Sequence, residues 1–289
     1  MNKLLFKLLL LPLILISTLS DPGIALADDD PLVMGVFPRR SAAITHKIFK
    51  PIADQLSRKL NRKVVLVTTK DFKTFWKGVT EQKYDLVHYN QYHYIKSHKN
   101  YGYRVILKNE EFGKSTLTGS ITIRKDSGIK NIMELKGKRI AFGGGPAAMM
   151  SYILPTYLLR KAGLEKDDYT EAFAKNPPNA VMSAYYQQYD AAGAGDVVLK
   201  LGMVKKQINT DEMTYLIKGE QMAHLPWAVK QNMSPELENN IKQILLDLNN
   251  SDEGKNILKS AKLTGVRLAK DNEYDPHRKV VNFIYNERY

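Results

Sequence analysis

The sequence contains no cysteine among its 289 residues. Disulfide bonds, thiolate nucleophiles and a lipid anchor on an N-terminal cysteine are therefore excluded. Long hydrophobic runs are also missing, because the most apolar stretch, Leu8–Leu19, is shorter than the about 20 residues that span a bilayer. Neither the G-x-S-x-G motif of serine hydrolases nor the H-E-x-x-H motif of zinc proteases occurs. We therefore expect a binding protein and not an enzyme.

Residues 1–27 have the layout of a secretory signal peptide. Lys3 and Lys7 precede the apolar run, and Ala25 and Ala27 form a small-residue cleavage site. We predict cleavage after Ala27 and export to the periplasm, which suits a chain without cysteine. Retention of the segment as a membrane anchor is the alternative.

Basic residues outnumber acidic ones, and the formal net charge is +13. Such an excess suits nucleic acid, an anionic membrane or an anionic ligand. Because the lysines are scattered and form no clusters, we expect a solvated basic surface and no nucleic-acid partner.

Short apolar runs alternate with helical segments along most of the chain. Strands are predicted at 32–37, 64–68, 84–89, 103–108, 120–124, 139–142, 189–194 and 213–218. Helices are predicted at 41–60, from Asp71, at 91–98, at 179–188, from Ser234 to about Leu248, and at 252–262. Such alternation is typical of α/β proteins with mostly parallel sheets.

The segment 119–164 carries the most informative local pattern. An apolar strand ends at Phe142, the glycine loop Gly143–Pro146 follows, and a helix is predicted to begin directly after the loop. Backbone N–H groups at a helix start lack partners within the helix and attract anions. Gly145 is therefore a candidate ligand-binding residue.

Two other interpretations of local patterns are disfavoured. The glycine loop also matches the dinucleotide fingerprint G-x-G-x-x-A, but Pro146 is unusual in that fingerprint and an exported protein meets little NAD. His88, His93 and His98 suggest a metal site, but a spacing of five residues does not stack side chains on one helix face. No cofactor and no metal are predicted.

Several short motifs occur in an order that is similar to one protein family. They are Gly35–Pro38, Pro51–Leu56, Arg124–Ile129, Leu135–Arg139, Leu154–Pro155, Leu158–Leu164, Tyr189–Ala192 and Tyr274–Pro276. Over residues 32–276 the chain resembles the periplasmic solute-binding proteins of ABC transporters, in particular the phosphate/phosphite/phosphonate-binding family.

The resemblance implies a type II periplasmic binding protein fold. In this fold two α/β lobes, each a mostly parallel sheet flanked by helices, are joined by two crossover strands that act as a hinge. Lobe 1 is expected to comprise residues 31–117 and 226–289, and lobe 2 residues 118–225, with the hinge near 114–119 and 222–228. The implied partners are a small solute, trapped by hinge closure, and an inner-membrane permease. We expect a monomer.

The family's oxyanion site is similar to a Ser-Thr-Ser-Gly-Tyr run at the start of the lobe 2 helix. Here that run falls on Ala148, Met149, Met150, Ser151 and Tyr152. The tyrosine matches, but the three hydroxyl positions hold alanine and methionine, and each lost hydroxyl contact is worth about 1 kcal/mol. Met149 and Met150 are expected to line either the pocket or the core. Asn179 and Asp196 lie near further family site positions, and Asp196 also suits a helix cap.

Loops after the predicted strands of lobe 1 supply the other candidate ligand-binding residues. They are Arg39, Arg40, Phe72, Tyr89 and Asn90. The arginines suit a carboxylate or phosphate group, and aromatic side chains suit a cleft wall.

Three hypotheses of function remain open. The first is a transporter-linked binding protein for a small anionic solute such as a phosphonate. The second keeps the fold but takes a less charged or lipid-like ligand, as the Ala-Met-Met replacement suggests. The third is a periplasmic sensor that passes a ligand signal to a membrane signalling protein.

Overall fold

The computed structural model describes residues 30–289. The predicted signal peptide and its cleavage site therefore lie outside the described residues. Residues 31–289 form one compact unit, and within this part of the chain no helix combines the length and the apolar character needed to cross a membrane.

Strands and helices alternate as the apolar pattern predicts. The strands are β1 Leu32–Val36, β2 Val64–Thr68, β3 Leu86–His88, β4 Arg104–Glu110, β5 Thr116–Leu117, β6 Gly119–Arg124, β7 Arg139–Phe142, β8 Thr170–Phe173, β9 Ala191–Gly195, β10 Met213–Lys218, β11 Met222–Ala223, β12 Pro226–Val229 and β13 Gly265–Leu268. The helices are α1 Ala42–Leu60, α2 Phe72–Thr80, α3 Gln91–Tyr101, α4 Leu154–Lys161, α5 Pro177–Tyr185, α6 Gly202–Lys205, α7 Pro235–Asp247, α8 Asp252–Ser260 and α9 Asp275–Tyr285. A π-helical turn, Met149–Ile153, precedes α4, and short 3-10 turns occur at Ile132–Leu135, Lys166–Asp168, Val198–Lys200, Thr210–Glu212 and Asp271–Tyr274.

The strands build two main sheets with related topologies. One sheet has the order β13-β4-β12-β3-β1-β2, and the other has the order β10-β6-β9-β7-β8. We refer to each sheet with its helices as lobe 1 and lobe 2, respectively. In lobe 1, β12 lies between β3 and β4 and is antiparallel to both; in lobe 2, β6 lies between β9 and β10 in the same manner. Each sheet is therefore mixed, with one inserted antiparallel strand, and lobe 1 has a second antiparallel strand at its edge, where β13 pairs with β4.

Each inserted strand directly follows a passage of the chain between the lobes. The first passage contains β5 and leads into β6, and the second contains β11 and leads into β12. The two passages pair as a short antiparallel ribbon, with Met222 opposite Leu117 and Ala223 opposite Thr116. This ribbon lies within the two segments where the sequence predicts the crossings.

At three of the predicted helix starts, the side chain at that position caps the helix. Ser41, Asp71 and Ser234 each accept a hydrogen bond from the backbone N–H three residues further on. A side-chain oxygen at this position satisfies one of the N–H groups that the first helical turn leaves without a partner. These caps set the starts of α1, α2 and α7.

Three helical predictions need correction. Helix α5 begins at Pro177 and not at Asn179, because proline suits the first helical position and Asn176 caps the helix. The helix after the glycine loop begins only at Met149. The sequence also places Ile44, Ile48, Ile52 and Leu56 on one apolar face of α1, because they lie four residues apart. Ile44 is instead 52% exposed, because a four-residue spacing exceeds the turn of about 3.6 residues and drifts off the buried face.

Hydrophobic clusters cover both faces of each sheet. In lobe 1, Phe49, Leu56 and Trp227 belong to the cluster beneath α1, α7 and α8. A second cluster joins the aromatic side chains of α2, α3 and α9 with residues of lobe 2. This packing holds the sheets in place. The loops that follow the carboxyl ends of β1, β3, β7 and β9 lie where open α/β sheets usually bind ligands.

Candidate functional site

The glycine loop after β7 is held close to the start of α5. At Gly143, a Cβ atom would lie only 2.3 Å from the Cα atom of Pro177. Gly144 has φ 147°, which side chains rarely tolerate. The Ala148 N–H donates to the Gly145 carbonyl at 2.9 Å, which closes the turn into the helix. Glycine is therefore required here for both packing and backbone conformation.

The helix start beyond this loop presents backbone donors. Within the described residues, the N–H groups of Met149, Met150 and Ser151 have no hydrogen-bond acceptor. Ala148 precedes them in an extended conformation, and no side chain caps the helix. Free N–H groups and the positive end of the helix dipole together favour a negatively charged group.

Side chains of the predicted oxyanion run point in different directions. Met149 is 1% exposed and belongs to the core, whereas Ala148 and Met150 are half-buried. Ser151 Oγ donates to the Gly143 carbonyl at 2.9 Å, and the Tyr152 hydroxyl donates to Glu171 at 3.1 Å. Of the two methionines, Met150 alone retains surface for a ligand.

Two side chains of lobe 1 bond to the end of the glycine loop and to Ala147, the residue that follows it. Asn90 caps α3 with its Oδ1 atom, and its Nδ2 atom donates to the Ala147 carbonyl at 2.9 Å. The Tyr285 hydroxyl of α9 donates to the Pro146 carbonyl at 2.7 Å. The two lobes therefore touch at this loop, and the bonds use its carbonyl groups and leave the N–H groups of the helix start free.

Phe72 and Tyr89 occupy different environments. Phe72 is half-buried and stacks on His93, with ring centroids 5.2 Å apart. Tyr89 is fully buried in an aromatic cluster with Phe75 and Tyr103. Its expected place in a cleft wall needs correction, because its side chain points into the layer beneath α2 and α3 and offers no surface in this arrangement.

Arg39 and Arg40 lie in the loop after β1, within lobe 1. Arg39 forms an ion pair with Glu111 at 2.8 Å. Burial, with a smaller effect of Arg39, lowers the pKa of Arg40 to about 10. Both arginines line a small cavity formed by lobe 1 residues, and this cavity does not include the glycine loop.

Asn179 and Asp196 have structural contacts. The Asn179 N–H donates to the Asn176 cap at 2.9 Å. Asp196 does not cap a helix; its carboxylate accepts bonds from the Thr118 N–H at 3.2 Å and from Gln221 Nε2 at 3.0 Å. Because these two partners belong to the two passages between the lobes, Asp196 links the two strands of the ribbon formed by β5 and β11.

Sequence analysis missed Tyr285 as a contact to the glycine loop. The sequence does contain a signal for the helix that carries Tyr285, because Pro276 in the first turn of a segment with periodic apolar residues is typical of a helix start. However, the helix contacts a loop that lies 139 residues earlier in the sequence, and no local sequence pattern predicts such a contact. Within residues 30–289, no group of three His, Asp or Glu side chains is arranged to hold a metal ion.

The sequence of this chain matches a known protein family over both lobes. A sequence model of the family described as phosphonate ABC transporter periplasmic substrate-binding proteins matches residues 34–274. The match spans strands of both lobes, the passages between them and the glycine loop.

Solved structures share the fold at low sequence identity. PhnD1 from Prochlorococcus marinus, solved in complex with methylphosphonate, has a TM-score of 0.77 and 14% identity over 90% of this chain and 100% of that chain. A binding protein component of an ABC phosphonate transporter from Pseudomonas aeruginosa has a TM-score of 0.75 and 15% identity, covering 89% and 87%. The aliphatic sulphonate binding protein SsuA from Escherichia coli has a TM-score of 0.60 and 14% identity, covering 89% and 87%. The two-lobed type II periplasmic binding protein fold is thereby confirmed.

Proposed function

Because the chain belongs to the family of periplasmic substrate-binding proteins of phosphonate ABC transporters, it is a substrate-binding component, and we propose that it captures an organic oxoanion between its lobes. The oxoanion end meets the backbone N–H groups of Met149, Met150 and Ser151. The organic substituent packs against Met150 and Phe72. Family membership implies a non-catalytic transport role in the periplasm.

The observation that carries this proposal is the set of free N–H groups where the two lobes meet. Met149, Met150 and Ser151 have no acceptor within the described residues, although the neighbouring carbonyls are bound by Asn90 and Tyr285. Donors that remain free beside a contact between lobes suit a ligand that binds as the lobes close.

The proposed substituent follows from what has replaced the family's hydroxyl groups. Ala148 and Met150 supply apolar, partly exposed surface, and the thioether of methionine adapts to varied shapes. Inorganic phosphate would find fewer donors here than in a hydroxyl-lined site. A phosphonate or sulphonate with an alkyl group is therefore the favoured solute class.

Opposite substitutions at Ala148 test the site. An aspartate at this capping position accepts the free N–H groups itself, so Ala148→Asp should raise the free energy of unfolding by about 0.5–2 kcal/mol and abolish oxoanion binding. Ala148→Ser restores one family hydroxyl and should increase affinity for methylphosphonate and for an alkylsulphonate. Isothermal titration and chemical denaturation of both variants measure these effects.

The directions of the changes in stability and in affinity distinguish a lost binding site from a misfolded protein. Ala148→Asp with raised stability and lost binding cannot be attributed to misfolding. If Ala148→Asp binds the solutes as the wild type does, the helix start is not the oxoanion site and the proposal fails. If neither probe binds, native mass spectrometry of the purified protein identifies the carried molecule, and an uncharged molecule supports a lipid-like ligand instead.

The remaining expectations about partners belong to the same proposal. A substrate-binding component delivers its solute to a membrane permease, and we propose that it does so as a monomer with the lobe boundaries given above. Opening and closing would take place at the ribbon of β5 and β11, which Asp196 braces. The periplasmic location agrees with the predicted signal peptide.

A further inference from the structure

The small cavity beside Arg39 and Arg40 lies wholly within lobe 1, at the carboxyl ends of β1, β3 and β4. Its volume is about 10 Å³, which is room for about one water-sized occupant. Its polar walls are the side chains of Arg39, Arg40, His88, Asn109 and Glu111, and its apolar walls include Phe37, Phe49 and Leu263. Every residue of its lining belongs to lobe 1, so the cavity is separate from the proposed oxoanion site.

The charged groups of this cavity do not balance. Arg39 and Glu111 form an ion pair at 2.8 Å. Although burial raises the pKa of the Glu111 carboxyl, Arg39 and His224 lower it by more, so that Glu111 stays charged at neutral pH. Arg40 forms no ion pair or side-chain hydrogen bond within the described residues. One positive charge is therefore left over on the half-buried Arg40, and a partly desolvated charge without its own counterpart is unfavourable.

Two buried polar side chains of the cavity also lack partners. His88 is 3% exposed and neither of its ring nitrogens has a hydrogen bond. Asn109 is 1% exposed; its Oδ1 atom accepts a bond from Trp227 at 2.8 Å, but its Nδ2 atom has no acceptor. A hydrogen bond between Asn109 and a ring nitrogen of His88 would still leave the second Nδ2 hydrogen and the His88 N–H without an acceptor. Buried donors are nearly always satisfied in folded proteins, so an acceptor is missing at this point.

The first turn of α1 adds to the positive potential of the cavity. Thr45, in that turn, lines the cavity, and the turn contains no acidic side chain to offset the positive end of the helix dipole. A water molecule would satisfy the free donors but leave the charge of Arg40 unbalanced. A monovalent anion would satisfy both.

We propose that this cavity binds one small monovalent anion of the size of chloride. Arg40 supplies the countercharge, and Asn109 and His88 donate hydrogen bonds. Sulfate and phosphate are disfavoured because each brings five heavy atoms and a second negative charge, whereas a halide is a single atom with one charge. The bound ion fixes the loop after β1, whose Phe37 ring lies 6.1 Å from the Phe72 ring and so supports the wall of the proposed cleft.

Trp227 provides an optical probe of this site. Its ring is fully buried and its centroid lies 4.5 Å from that of His88. The chain has two tryptophans, so Trp76→Phe leaves Trp227 as the single emitter. Iodide in solution reaches a buried indole poorly, but iodide bound in the cavity would lie near Trp227 and quench its fluorescence. The titration is run at constant ionic strength, with sodium gluconate as the balancing salt.

We expect quenching that saturates with iodide concentration and is relieved by competing chloride but not by sulfate. Arg40→Met should raise the half-saturating iodide concentration at least about tenfold, since a hydrogen bond to a charged group is worth about 1.5–3 kcal/mol. Lys47→Met removes an equal charge from the exposed face of α1, the helix that follows Arg40, and should leave the titration unchanged. Arg40→Lys, which keeps the charge, should bind iodide more tightly than Arg40→Met.

Two results would overturn the proposal. Quenching that rises linearly with iodide, without saturation, would mean that the cavity takes no anion and holds only water. Saturation that is equal in the wild type and in Arg40→Met would place the ion elsewhere. If Arg40→Met does not fold, the comparison of Arg40→Lys with the wild type and the competition by chloride against sulfate still decide the question. Neither result bears on the oxoanion site at Ala148.

Discussion

Gly143 and Gly145 lie two residues apart in one loop, but a methyl group at each would meet different surroundings. A Cβ atom at Gly143 would lie 2.3 Å from the Pro177 Cα atom, whereas a Cβ atom at Gly145 would meet no atom within 4 Å. We expect Gly143→Ala to lower the free energy of unfolding by about 1–3 kcal/mol through overpacking. Urea denaturation measures the change.

Gly145→Ala is the matched control for that substitution. It adds the same methyl group in open space, so its stability should stay within about 0.5 kcal/mol of the wild type. Equal midpoints for the two variants would mean that the loop is not pressed against the start of α5. A solute that binds Gly143→Ala as well as the wild type would mean that the loop geometry is irrelevant to capture.

Side-chain direction is what sequence could not predict at this scale. Met149 and Met150 are adjacent and chemically identical, but the π-helical turn sends one into the core and leaves the other half-buried. A π turn shifts the phase of the side chains relative to an α-helix, and no residue type marks it. Tyr89 and Asn90 also point in different directions: Tyr89 into the aromatic cluster of lobe 1 and Asn90 towards Ala147 of lobe 2. The reason is simpler here, because successive residues at the end of a strand point to opposite sides of the sheet.

Helix starts that depend on a local cap are the ones that the sequence predicted correctly. Caps act through contacts within four residues, and Ser41, Asp71 and Ser234 each cap the helix that was predicted to begin there. Helix α9 escaped prediction, although its contacts decide how the lobes meet. Its partners, Pro146 through Tyr285 and Arg160 through Ile284, are distant in the sequence, so the helix's role depends on tertiary structure alone.

Helix α9 leads to a prediction about closure. The Tyr285 hydroxyl donates to the Pro146 carbonyl across the lobes, and a typical hydrogen bond contributes about 1 kcal/mol. Tyr285→Phe should therefore shift the balance from closed towards open by about fivefold. Small-angle scattering without ligand should show a larger radius of gyration, and solute affinity should fall by a similar factor.

Tyr157→Phe is the control for this experiment. Tyr157 also lies between the lobes and contacts Phe283 through its ring, with centroids 5.2 Å apart, so the substitution keeps the contact. It should leave the radius of gyration unchanged. A Tyr285→Phe variant that scatters as the wild type does would show that this bond does not hold the lobes together.

At the scale of the molecule, the alternation of strands and helices predicted an α/β protein, but not the course of its sheets. The inserted strands β6 and β12 each follow a passage between the lobes and pair with strands that are distant from them in the sequence, so the local pattern does not reveal their antiparallel direction. Resemblance to a family supplied the two-lobed arrangement, which composition and periodicity alone did not contain. The ion cavity of lobe 1 likewise assembles residues from β1, β3, β4 and the loop before β13.

Buried histidines give the whole molecule a predicted sensitivity to acid. Burial lowers the pKa of His93 to about 3, of His277 to about 3 and of His224 to about 4. In the unfolded chain a histidine has a pKa of about 6.5. Between these values the unfolded state binds more protons than the folded state, so stability falls as the pH falls. Each such histidine removes about 1.4 kcal/mol per pH unit below about 6.5.

His277→Phe isolates one of these contributions. His277 is fully buried, stacks on Tyr274 and has no hydrogen bond at either ring nitrogen, so a phenyl ring replaces it without leaving a polar group unpaired. Compared with the wild type, the variant should lose about 2 kcal/mol less stability between pH 7.5 and pH 5, as measured by urea denaturation at both pH values. His46→Gln, which removes an exposed histidine of α1, is the matched control. An equal loss in His277→Phe and in the wild type would mean that solvent reaches this imidazole in the folded protein and that the acid sensitivity has another source.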